Sequence, residues 1–127
     1  MSKQVLIVDD EPNIVISLEF LMKREGFEVS VARDGEEGLA AIQAGHPDLV
    51  VLDVMMPKRN GFEVLEAVRA DPSLAGVRIL MLTAKGRPAE SEKGLDLGAD
   101  AYMAKPFSTR ELVDKAKALL AGGGRQP

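Results

Sequence analysis

The chain has 127 residues, enough for one ordinary domain and too few for two. A formal net charge of -4 argues against the basic surface with which a domain usually binds nucleic acid, and the lack of cysteine excludes disulfides and thiolate metal sites. Hydrophobic residues make up 46% and aromatic ones only 4%, so any core must be aliphatic, while no apolar run approaches the length of a membrane span.

The first predicted strand, Gln4 to Val8, is apolar almost throughout and runs straight into Asp9, Asp10 and Glu11. Asn13 to Glu25 follows as a helix with Ile14, Leu18, Leu21 and Met22 on one face, stopped by Gly26. Glu28 to Ala32 is the second strand; it leads through "ARDGEEG", an ordinary turn, into a helix over Gly35 to Ala44. Leu49 to Leu52 delivers Asp53, and a helix over Gly61 to Ala70 comes next. Arg78 to Leu82 delivers Thr83. The helix after it, Ala89 to Leu97, has few apolar residues and a central Gly94, which marks it as the least stable. Ala101 to Ala104 delivers Lys105. The last helix opens on "STRE", where Ser108 and Glu111 are spaced for a reciprocal capping box, and its stripe is Leu112, Val113, Ala116, Leu119 and Leu120. Residues 1–121 are expected to form one domain, with 122–127 a flexible tail or the start of a linker.

Five repeats of strand then helix require parallel strands with helices on both faces, a doubly wound α/β domain. Ligands in such sheets bind off the carboxyl ends of the strands, where the strand order reverses. Asp9, Asp10, Asp53, Thr83 and Lys105 all end strands at that edge. Carboxylates gathered there repel one another unless a cation sits among them, and an all-oxygen set suits Mg²⁺ first, with Mn²⁺ or Ca²⁺ in the same class. Lys105 and Thr83 add a positive charge and a neutral hydrogen bond for an anionic group, of which phosphate is the obvious one. A carboxylate so placed can act as nucleophile toward a phosphoryl group.

Taken singly, these residues say little. Asp9 and Asp10 alone fit a helix N-terminus, Thr83 a strand residue, Lys105 a surface lysine, and Tyr102 half-buried packing. His46 in a polar turn is assigned nothing, and the basic outer face made by Arg110, Lys115 and Lys117 reads as solvation. Company at one sheet edge is what promotes the first four.

The segments "VDDE", "VVLDVMMP", "LTA" and "KPF", in this order, resemble the receiver domain of two-component response regulators, the CheY-like type, over nearly all of Gln4 to Leu120. The resemblance implies a flavodoxin-like, five-stranded parallel sheet of order 2-1-3-4-5 flanked by five helices. It implies a phosphorylation switch with Asp53 as phospho-acceptor, Asp9, Asp10 and Asp53 as metal-binding acids, and the backbone carbonyl of Met55 as a further ligand. Thr83 and Lys105 would contact the phosphoryl group, Thr83 and Tyr102 would form the switch, and the Lys105–Pro106 bond would be cis. The donor would be a histidine kinase or histidine phosphotransfer protein and the output a protein target, with neither nucleic acid nor membrane bound directly and a cytoplasmic location. Catalysis would be confined to the domain's own Mg²⁺-dependent phosphorylation and dephosphorylation.

Departures from the family pattern lie at Lys58, Arg59 and Asn60, although Gly61 is kept, and at Ala101, where dimerising subfamilies usually carry a second acid after Asp100. The resemblance also implies that Met55 and Lys85 stand where side chains flank the approach of water to the phosphoryl group, and neither is a carboxylate or amide able to orient that water. An aspartate-nucleophile phosphatase needs an Asp-x-Asp pair that "VDDEP" lacks, and no glycine-rich turn follows the first strand for a dinucleotide. The input domain of a longer DNA-binding or enzymatic regulator stays open beside a stand-alone switch.

Overall fold

A computed structural model of the chain describes residues 3–56, 58–83 and 88–123, with the side chains of 88–91 and 122–123 left aside. The elements are β1 (Gln4–Val8), α1 (Pro12–Arg24), β2 (Glu28–Ala32), α2 (Gly35–Gly45), β3 (Leu49–Asp53), α3 (Gly61–Ala70), β4 (Arg78–Thr83), α4 (Pro88–Asp96), β5 (Ala101–Ala104) and α5 (Thr109–Ala118). A short 3-10 turn covers Pro72–Leu74, and a π turn over Leu119–Gly123 continues α5. All strand pairs are parallel, in the order β2-β1-β3-β4-β5. The predicted β/α alternation, topology and strand order are therefore those observed.

Alternation along each strand sends side chains to opposite faces and splits the core in two. Val5 and Ile7 of β1 pack with Val15, Leu18 and Met22 of α1 and with Leu112 and Ala116 of α5. Leu6 and Val8 point the other way, into a cluster with Ile42 of α2 and Val64, Leu65 and Val68 of α3. The three central strands are apolar on both faces because both are covered, whereas β2 and β5 are half-exposed edges.

The predicted stripe of α1 is observed with Val15 added to it. Val15, Leu18 and Met22 are buried, with Ile14 and Leu21 only flanking them. Ile14, Val15 and Ile16 sweep roughly 200° of the helix at about 100° per residue, so one of the three must face water. Ile16 does, together with Phe20, at 65% and 63% exposure, and α5 does not cover them. α1 begins at Pro12, whose missing N–H costs nothing in the first turn, and ends before Gly26, left-handed at φ 95°.

Capping also differs from expectation. The Ser108 hydroxyl accepts from the Glu111 N–H at 3.2 Å, but the return bond is not made; the complete box is at α3, where Asn60 and Glu63 exchange bonds of 3.0 Å. "NGFE" carries that signal in the sequence.

At the N-terminal edge of the sheet, Arg69 from the last turn of α3 is clamped. Its Nε donates to the Gly98 carbonyl at 2.9 Å, one Nη to the Val77 carbonyl at 2.8 Å, and the other to Asp100 at 2.8 Å. The same Asp100 oxygen accepts the Ile79 N–H at 2.7 Å. This clamp ties α3, the start of β4 and the turn from α4 into β5 together. Arg69 does not stand out in the sequence, and Asp100 enters there only as part of the family pattern.

Candidate functional site: an acidic cleft at the strand ends

The strand order reverses between β1 and β3, and their carboxyl ends diverge there. The ladder runs one residue beyond the predicted ends of β3 and β4, so Asp53 and Thr83 are the last strand residues and Asp53 is held in register opposite Leu82. Asp9, just past β1, is fixed by its own N–H donating to the Ala32 carbonyl at 3.1 Å.

The loop leaving Asp53 is positioned by two close approaches. Gly61 lies against the Asp53 carbonyl, where any Cβ would overlap it, and its N–H donates to the Val54 carbonyl at 2.8 Å. Gly35, at the start of α2, lies in the same way against the Arg59 carbonyl. Lys58 takes a left-handed conformation, φ 69°, and sets its ammonium 3.6 Å from Asp34.

Asp9 is fully buried and Asp53 only 5% exposed, while Asp10 is exposed. Carboxylate oxygens of the three lie within 4.8 Å of one another. Lys105 arrives from the end of β5 through a cis bond to Pro106, and its Nζ is 3.3 Å from Asp53, 3.4 Å from Asp9 and 3.9 Å from Glu11. Burial, and then the charge of Asp9, push the Asp53 carboxyl up to about 6 against the pull of Lys105 and a hydrogen bond from the Met55 backbone N–H. Burial works against the Lys105 charge, but Asp53 and Asp9 outweigh it and its pKa is raised. Among the described residues, one ammonium among several carboxylates leaves an excess of negative charge on oxygen donors, a set that fits Mg²⁺ or Mn²⁺.

An open cleft of about 480 Å³ stands over the cluster, lined by Asp10, Glu11, Pro12, Asp53, Met55 and Lys105. Thr83 is buried, its hydroxyl donating to the Met103 carbonyl at 3.5 Å. Tyr102 is 44% exposed and, by register with Met81, belongs to the α4 face. The structure thus gathers Asp9, Asp10, Asp53, Met55 and Lys105 in one cleft. Thr83 ends the strand beside Asp53, and Tyr102 stands two residues before the end of β5. Lys85 and residues 124–127 lie outside the described residues. Glu11, to which no role was assigned from sequence, is in the cleft; its place in the unbroken run after β1 was the available signal.

The family model described as "Response regulator receiver domain" matches residues 5–117. The chain belongs to this family. Receiver domains are the signalling modules of two-component systems rather than typical enzymes; they bind Mg²⁺ at an acidic pocket and are phosphorylated by histidine kinases. The chain is 48% identical over 120 residues to the alkaline phosphatase synthesis transcriptional regulatory protein PhoP of Bacillus subtilis, covering 94% of this chain but only 49% of that one. Among solved structures it resembles a CheY-like response regulator receiver domain protein from Methanospirillum hungatei, with TM-score 0.87, 35% identity and 97% of each chain covered. It also resembles the chemotaxis response regulator CheY4 of Vibrio cholerae, with TM-score 0.87, 34% identity and coverage of 94% and 99%. No helix among the described residues of this receiver domain is long and apolar enough to cross a membrane.

Proposed function

We propose that this receiver domain is a switch that accepts a phosphoryl group on Asp53 from a histidine kinase or histidine phosphotransfer protein. The observation that carries the reading is the buried Asp53 carboxylate, clustered with Asp9 and Asp10 and 3.3 Å from Lys105, facing an open cleft. An Asp53 oxygen forms the new bond to phosphorus as the bond to the donor's imidazole nitrogen breaks. Asp53 attacks as its ionised carboxylate. Lys105 pairs with the transferred oxygens, and Thr83, at the end of the adjacent strand, supplies a neutral hydrogen bond. Asp9, Asp10, Asp53 and the Met55 carbonyl would hold Mg²⁺, which neutralises charge on the transferring group. Thr83 and Tyr102 convey the change to the α4 face. The exposed Ile16 and Phe20 on α1 offer the donor an apolar contact. The switch works in the cytoplasm on a protein target, with residues 1–121 as the folded unit and 122–127 as tail or linker.

Incubation with Mg²⁺ and acetyl phosphate is expected to add one phosphoryl group by intact mass, and Asp53→Asn to abolish the addition. An equal yield in the variant would overturn the assignment.

A second reading makes the chain the input part of a longer regulator. It is favoured by the curated relative named a transcriptional regulatory protein, of which the chain spans 49%. An open reading frame continuing past Pro127 into a DNA-binding domain would establish it.

A further inference from the structure

Glu11 is the N-cap residue of α1, where an acidic side chain ordinarily accepts from the first helical N–H groups, yet its side chain makes no cap bond. Its backbone N–H donates to Asp9 at 2.9 Å, and its carboxylate lies 3.9 Å from the Lys105 ammonium. Glu11 and Lys105 both line the acidic cleft and also a neighbouring groove of about 550 Å³ floored by Ile14, Leu18 and Phe107. The pair forms the wall between the two.

The three carboxylates around Lys105 are not equivalent. The Asp9 and Asp53 side chains are 0% and 8% exposed, that of Glu11 54%. If Asp9 and Asp53 hold a divalent cation, as the reading above has it and on which this inference rests, the cation and Lys105 compete for the same two groups. A cation there repels the ammonium and removes most of its attraction to Asp9 and Asp53. Among the described residues, Glu11 is the one carboxylate paired with Lys105 that lies outside the ligand set.

We propose that Glu11 is a positioning residue for Lys105, drawing the ammonium off Asp9 and Asp53 as a divalent cation enters, so that cation affinity depends on Glu11 through Lys105. The carboxylate must stand where the ammonium can reach it; its charge alone is not enough.

The test is calorimetric titration of the metal-free chain with Mg²⁺, without phosphodonor. Glu11→Gln is expected to weaken binding about fivefold, the scale of one partly exposed ion pair. Glu11→Asp, which keeps the charge but withdraws it by one methylene, is expected to give most of that loss. In a Lys105→Met background, Glu11→Gln is expected to change affinity less than about twofold, because the ammonium it acts through is gone. An equal loss in that background, or wild-type affinity in Glu11→Asp, would show a bulk charge effect and overturn the proposal. So would unchanged affinity in Glu11→Gln, while normal phosphorylation of Asp53 would leave the main reading standing. A wild-type chain that binds no Mg²⁺ removes both.

Discussion

Two charged clusters occupy opposite edges of the same sheet, and they are built differently. At the N-terminal edge one guanidinium meets one carboxylate at 2.8 Å, and both are further bonded to backbone groups of three segments. At the C-terminal edge one ammonium is shared among Asp9, Glu11 and Asp53 at 3.3 to 3.9 Å, with Asp10 close by. The first cluster is balanced and saturated with short bonds, so it holds elements together. The second is, among the described residues, over-negative and loosely bonded, and the raised Asp53 marks its capacity for a further positive charge or for chemistry. Burial alone does not separate structural from functional charges; balance does.

The comparison breaks most visibly at the clamp. Arg69→Met leaves the Asp100 carboxylate, 2% exposed, without its guanidinium, and is expected to cost about 3–5 kcal/mol of unfolding free energy. Urea denaturation measures it. A loss below about 1 kcal/mol would mean that the clamp is not structural.

The acidic edge should respond in the opposite direction. The folded Asp53 carboxyl is raised to about 6 from an ordinary 3.8, so the folded chain binds the proton more tightly than the unfolded one. Its contribution is present at low pH, is lost as pH rises through the window from about 4 to 6, and stays lost above it. Asp53→Asn is therefore expected to stabilise the metal-free chain at pH 7.5 by about 2 kcal/mol, with a smaller gain near pH 4.5. Paired urea titrations at the two pH values check this, and saturating Mg²⁺ should narrow the gap at pH 7.5.

A smaller effect belongs to α4, which leads from the side of the acidic edge to the clamp. A Cβ added at Gly94 would sit 3.5 Å from Met81 Cγ, an ordinary contact, so Gly94→Ala is expected to add about 1 kcal/mol. Amide exchange across α4 reads the change locally.

Much of this was legible in the sequence because it is written in local periodicity. Strands such as "LVVLD" read as buried on both faces, and the chemistry at their ends needs no long-range knowledge beyond the rule of the strand edge. The face of α1 was legible in large part, Leu18 and Met22 being buried as read, but Val15 was missed, since Ile14, Val15 and Ile16 offer the same apolarity and only packing against β1 and α5 selects Val15. The clamp was invisible because Arg69 and Asp100 lie 31 positions apart and nothing near either residue points to the other. Glu11 was visible as a residue but not as a partner of Lys105, a relation that exists only once β1 and β5 end at the same edge.

The glycines at 35 and 61 carry a consequence for how the cleft responds to its surroundings. Each places backbone against a carbonyl with no room for one more carbon, so the path of the loop beyond Asp53 is set by hard-core exclusion. Exclusion has no ionic-strength term and no titration curve. Lys105, which also lines the cleft, is held by Coulombic attraction, which has both. The close packing of these two glycines is thus indifferent to solution conditions, while the charges around Asp53, those of Asp9 and Lys105 among them, are tuned by them.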